Sequence, residues 1–203
     1  MNMFFVNGSG FRSPDRIVIG GDWSNAAFFL VAGAIGKNSV KVQGLDQNSR
    51  QGDKEILTVL RKMGANITLD SDGITVNPSL LHGVEIDAAN IPDLVPILAV
   101  AASVAKGETK IFGAARLRLK ESDRIESVCA TLSSLGADIC PTTDGMIIHG
   151  KKSLSGGEVD SYNDHRIAMS AAVASLVCDS AVKITQFEAI NKSYPTFAEN
   201  FEI

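Results

Sequence analysis

At 203 residues the chain is long enough for one large domain or two small ones, and 45% hydrophobic with only 6% aromatic residues points to a globular core of aliphatic side chains and alanine. A net charge of −4 gives no general attraction for nucleic acid or an anionic membrane, so any anion site has to be local. No run of about eighteen apolar residues is present to span a bilayer, the start Met1-Asn2-Met3-Phe4-Phe5 lacks the basic region of a signal peptide, and the odd set Cys129, Cys140 and Cys178, without metal-ligand spacing, reads as reduced core thiols of a cytoplasmic protein.

Residues 1–13 read as a tail, and residues 14–203 as one domain in which a single unit recurs, over about 14–82, 83–155 and 156–203. The recurrence shows first in Asp22, Asp93 and Asp164, spaced by 71 residues each time. In chain order, the alanine-rich stretch from Ala26 to Ile35 predicts a helix and Val40-Lys41-Val42 a short strand. A second helix runs to the stop Met63-Gly64-Ala65, and Asn66 to Leu69 then pairs with Ile74 to Asn77 around Asp72-Gly73. The second unit repeats this order with a helix from Leu94 to Ala105 and a strand at Thr109-Lys110-Ile111. Its second helix is amphipathic, with Ile125, Val128, Leu132 and Leu135 on one face and a stop at Leu135-Gly136-Ala137. Strands Asp138 to Pro141 and Met146 to His149 follow, around Thr142 to Gly145. Glycine at both stops suits the left-handed residue that follows many helices. The third unit offers a helix from Ile167 to Val177, a strand at Val182-Lys183-Ile184 and a short helix from Pro195 to Phe201. The fold class is therefore α/β, with three pseudo-repeated units in one domain.

Chemistry shows as a broken local rule. A helix N-terminus carries partial positive charge, so cations there cost up to ~1 kcal/mol each unless an anion joins them. Lys120 and Arg124 nonetheless bracket a helix start at Ser122 or Asp123, where Glu126 completes a capping-box pattern. Arg166 lies in the first turn of a helix that Asp164 can cap, and Lys192 stands just before Ser193 with Pro195 near the first helical position. A phosphate or carboxylate ligand would resolve this arrangement. The bland alternative pairs the cations with neighbouring acids, Lys120 with Asp123 or Glu121 and Arg166 with Asp164. Asp93 reads as a helix cap that can also orient a hydroxyl or move a proton, and Asp22, with no cation after it, as a cap only. His82 and His149 read as turn and surface residues. No spacing suits a metal ion, and Gly8-Ser9-Gly10 is too short for a phosphate loop. No cofactor is expected.

Six segments in this order resemble those of EPSP synthases: Gly21-Asp22-Trp23-Ser24-Asn25-Ala26, Asn48-Ser49-Arg50-Gln51-Gly52-Asp53, Ile91-Pro92-Asp93, Leu119-Lys120-Glu121-Ser122-Asp123-Arg124-Ile125, Asn163-Asp164-His165-Arg166-Ile167-Ala168-Met169 and Lys192-Ser193-Tyr194-Pro195-Thr196-Phe197. The family fold this implies has two domains, each of three βαβαββ units, with helix N-termini aimed at the cleft between them. The implied reaction transfers the enolpyruvyl group of phosphoenolpyruvate to the 5-hydroxyl of shikimate 3-phosphate and releases phosphate.

By that resemblance Arg124, Arg166 and Lys192 hold the phosphoenolpyruvate carboxylate and phosphate, and His165 sits close to the same substrate. Asp93 and Lys120 reach the shikimate hydroxyls, and Asp93 and Glu121 are the candidates for proton transfer. The chain corresponds to the C-terminal, upper half of such an enzyme, so the N-terminal domain is an expected partner and the chain alone is expected to be inactive. Arg116-Leu117-Arg118 departs from the loop that some members carry. The alternatives are the related transferase acting on UDP-N-acetylglucosamine, which lacks this combination of segments, and a non-catalytic anion-binding domain.

Overall fold

The computed structural model describes residues 15–201 and, before them, only positions 3, 5, 8 and 10. The tail expected over residues 1–13 thus falls largely outside the described residues. Asp22, extended at φ −86° and ψ 116°, turns the chain into α1 (Trp23–Ile35), its carboxylate accepting from the Ser24 amide. Next come β1 (Val40–Val42), α2 (Ile56–Lys62), β2 (Asn66–Asp70) and β3 (Gly73–Asn77). Their sheet is antiparallel in the order β1-β3-β2, with Thr75 of β3 opposite both Lys41 and Thr68.

The second unit realises the full β-α-β-α-β-β order. It comprises β4 (Glu85–Asp87), α3 (Val95–Ser103), β5 (Glu108–Phe112), α4 (Arg124–Ser134), β6 (Asp138–Pro141) and β7 (Met146–His149). The sheet order is β4-β5-β7-β6. β4 runs parallel to β5, with Ile86 beside Ile111, because α3 makes the crossover between them. The third unit holds β8 (Gly157–Asp160), α5 (His165–Ala174), β9 (Val182–Thr185) and α6 (Phe197–Phe201), and β8 is parallel to β9 with Val159 beside Ile184. β4 and β8 were not foreseen from residue pattern. In β4 only Ile86 faces inward between exposed Glu85 and Asp87, and a single buried residue makes no alternation.

The expected helices and strands otherwise form within a few residues of their predicted ends. The predicted third-unit helix is α5 to Ala174, tightening to a 3-10 turn over Ser175–Val177. Gly64 and Gly136 take φ +95° and +92°, the left-handed conformation their positions demanded.

α1, α3 and α5 form the centre and pack on one another. All nine residues of α3 are buried. Alanines on these helices let the backbones approach, while Ile97, Leu98 and Val100 fill the space between them. Burying those three side chains stabilises the fold by about 5–9 kcal/mol as an upper bound. The few aromatic rings concentrate at one joint. Phe197 and Phe201 of α6 stack at 5.1 Å, Phe197 meets Phe28 edge-on at 6.1 Å, and Phe29 lies 6.0 Å from Tyr194. This cluster closes the third unit onto α1, and such pairs add about 0.5–1.5 kcal/mol each beyond burial. The cysteines divide. Burial pushes the Cys129 thiol up to about 12, as a core residue should show, whereas Cys140 is exposed rather than in the core. Among the described residues no helix is long and apolar enough to cross a membrane.

Candidate active site

The N-terminal ends of α1, α3, α4 and α5 converge on one face, and side-chain caps turn the chain into three of them, α1, α4 and α5. Asp123 caps α4 by accepting from the Ile125 and Glu126 amides at 3.2 and 3.3 Å. The capping box stays open, because the Glu126 carboxylate goes to Arg118 at 3.1 Å. Arg118 also takes Asp123 at 2.9 Å, which leaves Lys120 to look elsewhere.

The cap turns Arg124 inward, and it is 1% exposed. Its Nε donates to Asp164 Oδ2 at 2.8 Å and its Nη2 to Asp164 Oδ1 at 3.2 Å, while Nη1 reaches Asp93 Oδ1 at 2.9 Å and Nη2 reaches Glu121 Oε2 at 2.7 Å. Asp164, fully buried, also caps α5 through the Arg166 amide at 2.9 Å and accepts from Ser122 Oγ at 3.0 Å. Burial alone would raise the Asp164 carboxyl; the hydrogen bonds and charge of Arg124 outweigh it and hold the group below the usual carboxylate range. Asp164 thus does far more than cap, and Arg124, for which the bland alternative named no partner, is matched by acids; Asp164, named there for Arg166, pairs with Arg124 instead.

Asp93 is no cap. It sits in the 3-10 turn Pro92–Leu94 ahead of α3, and no side chain caps that helix. Its carboxylate instead joins three cations: Arg124, Lys120 Nζ at 3.1 Å and Arg166 Nη2 at 3.6 Å. Burial pushes the Asp93 carboxyl up, but Arg166, Lys120 and Arg124 together bring it below its ordinary value. Lys120 therefore pairs with neither Asp123 nor Glu121.

Arg166 and Lys192 differ from Arg124 in having neutral oxygens as their hydrogen-bond partners. Arg166 Nη1 donates to the Asp93 carbonyl at 3.2 Å and Nη2 to Ser24 Oγ at 3.1 Å. Lys192 Nζ donates to the Asn163 carbonyl at 2.6 Å and to its side-chain oxygen at 2.8 Å. Lys192 closes the 3-10 run Phe187–Lys192 instead of opening a helix, and it belongs to the N-terminus of α5 by reaching across to it. Tyr162 and Asn163, at φ 54° and 51°, are consecutive left-handed residues that aim these oxygens. Such conformations cost about 1–3 kcal/mol each and gather at functional sites.

His165, the first residue of α5, is 7% exposed. Its Nδ1 is buried without a hydrogen-bond partner, 4.0 Å from both Glu121 Oε1 and Asp164 Oδ1. Burial and then the charge of Arg166 lower its pKa, so the ring is neutral at pH 7. An orphaned buried nitrogen that feels the charge of Arg166 is a place for a ligand atom.

The residues proposed from the sequence for the site, Asp93, Lys120, Glu121, Arg124, His165, Arg166 and Lys192, thus lie on this face. Sequence reasoning missed Ser24, Gln51 and Asp53, which line it from the first unit, and it took Asp22 for a cap alone. Asp22 does cap α1, yet it also accepts from Gln51 Nε2 at 2.6 Å and feels the charge of Arg166. The Gln51-Gly52-Asp53 segment was the available signal.

The chain is an α/β domain of three repeated units, with helix N-termini gathering guanidinium, ammonium and carboxylate groups on one face. Comparison with known proteins gives the family. A family model described as EPSP synthase (3-phosphoshikimate 1-carboxyvinyltransferase) matches residues 1–201, and the chain belongs to that family. It is 50% identical over 199 residues to the 3-phosphoshikimate 1-carboxyvinyltransferase of Clostridium novyi (strain NT), covering 98% of this chain and 46% of the relative. The corresponding protein of Methanocorpusculum labreanum is 41% identical over 199 residues, with 98% and 47% covered. The solved EPSP synthase from Acinetobacter baumannii superposes with a TM-score of 0.80 at 35% identity, covering 89% of this chain and 45% of that one. The chain spans less than half the length of these relatives.

Proposed function

We propose that this chain is the upper half of an EPSP synthase, acting in the cytoplasm on phosphoenolpyruvate and shikimate 3-phosphate together with the part of the enzyme it does not span. The division into repeats at about 14–82, 83–155 and 156–203 belongs to the same reading, supported by the recurrence of helix caps at Asp22 and Asp164 and of parallel first strands at β4 and β8. The observation that carries the function is the charge imbalance at α5. Arg166 and Lys192 have neutral oxygens as hydrogen-bond partners, with the Asp93 carboxylate no nearer to Arg166 than 3.6 Å, while Arg124 is held by three carboxylates at 2.7–2.9 Å. Arg166 and Lys192 then take the phosphate and carboxylate of phosphoenolpyruvate, with His165 Nδ1 beside them. Arg124 exchanges part of its carboxylate shell for substrate.

Adding a hydroxyl across the enol double bond takes a proton from the hydroxyl and places one on the methylene carbon; expelling phosphate reverses the second transfer. Asp93, ionised and shared by Lys120 and Arg124, orients the hydroxyl. Glu121 moves protons at the enolpyruvyl carbon, a role supported by its position between Arg124 and His165. With one wall alone the substrates are neither clamped nor shielded from water, so the isolated chain turns nothing over.

Phosphate release assayed with the chain, with the N-terminal half of the Clostridium novyi relative, and with both together tests this. Activity only in the mixture is expected; turnover by the chain alone, or none in a mixture that demonstrably associates, overturns the reading.

A further inference from the structure

Arg166 has a single carboxylate near it, Asp93 Oδ2 at 3.6 Å from Nη2 and beyond hydrogen-bond distance, so something other than a carboxylate clamp has to hold its plane. Two neutral acceptors do so: the Asp93 carbonyl at 3.2 Å and the Ser24 hydroxyl at 3.1 Å, the latter 142 residues away in sequence. A hydroxyl can equally donate, and if it turned its proton toward Arg166 the contact would be repulsive. That rotation is blocked. Ser24 Oγ has one proton, and both oxygens of Asp22 lie within reach of it, at 3.1 and 3.0 Å. The carboxylate accepts that proton, which leaves the Ser24 lone pairs facing Arg166.

Asp22 is held in turn. Gln51 Nε2 donates to Asp22 Oδ1 at 2.6 Å, and Gln51 Oε1 accepts from the Trp23 amide at 3.0 Å. The Trp23 amide can only donate, so the Gln51 amide has one possible orientation. Asp53 Oδ2 lies 3.4 Å from the same Nε2 and reinforces it. Ser24 is 5% exposed and Arg166 7%, so the bond between them lies where water competes little, whereas Asp22 is exposed and its bond from Gln51 meets solvent. The first unit carries no cation after its helix cap, and this network is what it contributes to the face instead.

We propose that Ser24 and Gln51 are positioning residues for Arg166: through the order Gln51 to Asp22 to Ser24 they fix the hydroxyl as an acceptor and thereby aim the guanidinium at a bound anion. The anion-binding half of this inference rests on the function proposed above; the positioning half does not. The test uses the 203-residue chain with isotope-labelled arginine, followed by nuclear magnetic resonance, and inorganic phosphate as the probe. Slowed rotation of the Arg166 guanidinium, read from its separate Nη signals, is expected in the unmodified chain without any anion. Ser24→Ala and the near-isosteric Gln51→Met should average those signals and weaken phosphate binding at Arg166 about tenfold, the worth of one hydrogen bond to a charged group. Gln51 is only half-buried, so Gln51→Met keeps the test alive if Ser24→Ala fails to fold. Unchanged Nη signals in folded Gln51→Met overturn the positioning role. Phosphate that leaves Arg166 undisturbed in the unmodified chain overturns the anion-site reading instead, while the rotation measurement still decides the inference.

Discussion

Replacing Asp164 by alanine removes one end of a fully buried ion pair and a helix cap in a single step. The charge left behind belongs to Arg124, 1% exposed, which keeps Asp93 at 2.9 Å and Glu121 at 2.7 Å. Breaking a buried pair costs about 3–5 kcal/mol, and the two remaining carboxylates place this case at the lower end. Loss of the cap adds about 1 kcal/mol, for a total near 4 kcal/mol, against about 5–15 kcal/mol for a whole domain. For a chain of this size that lowers Tm by roughly 8–16 °C. Asp164→Asn, which keeps a capping oxygen, should lose about half as much. A cycle with Arg124→Met completes the test: the double variant should be more stable than the summed singles predict by about 2 kcal/mol or more, since removing both partners leaves no orphaned charge. Thermal melts of the four chains measure this. A Tm loss below about 3 °C for Asp164→Ala, or strict additivity in the cycle, would refute the argument. Acid provides a second check on the sign. The folded-state pKa of Asp164 is depressed, so its stabilisation is full above the ordinary carboxylate value near 3.8 and is lost as pH falls through the lowered one; the acid limb should be shallower in Asp164→Ala.

Further outcomes follow from the same geometry. In the complemented enzyme Arg166→Ala and Lys192→Ala should each lower kcat/KM about a hundredfold or more, as removal of a charge that stabilises a transition state does; steady-state rates read this directly, and near-normal rates would remove either residue from the site. His165 has its pKa lowered by burial and by Arg166, so the stability it lends is present above its ordinary value of 6.5 and drains as pH falls toward the depressed one. His165→Gln should flatten the melting profile between about pH 7 and 5, and an unchanged slope would count against a neutral buried imidazole. Asp53 is raised, by burial first and also by Asp93 and Asp22, so its ionised form is unfavourable in the folded chain at neutral pH. Asp53→Asn should therefore raise Tm at pH 7, by about 1–3 °C, with the gain shrinking in acid; a fall in Tm at pH 7 would contradict the assignment.

Much of the fold was legible because its helices obey periodicity and its turns use residues that few other conformations accept. Val40–Val42 and Met146–His149 form where alternation placed them, and the left-handed Gly64 and Gly136 end helices at the predicted stops. What escaped was short or satisfied at long range. β8, with one buried residue among Gly157–Asp160, exists because β9 offers it an edge, a partnership invisible in the local pattern. The site was legible as misplaced charge: Lys120, Arg124 and Arg166 declared themselves by standing at helix starts, whereas Lys192, expected at one too, ends a 3-10 run and joins the site by reaching the start of α5. Their partners did not, because Asp164, Ser24 and Asp22 occupy positions where a cap is the ordinary explanation. Only tertiary distance separates a capping aspartate from one that also holds a guanidinium 40 residues away.

Asp22, Asp93 and Asp164 recur at one stage of the unit, yet each has become something different. The first polarises a hydroxyl, the second is shared among three cations, and the third is sealed under Arg124. One local position thus serves three different long-range contacts, set by what each helix start meets and not by the unit itself. Exchanging one unit for another would preserve the architecture and destroy the face, and substitutions tolerated at one of these positions predict nothing about the other two.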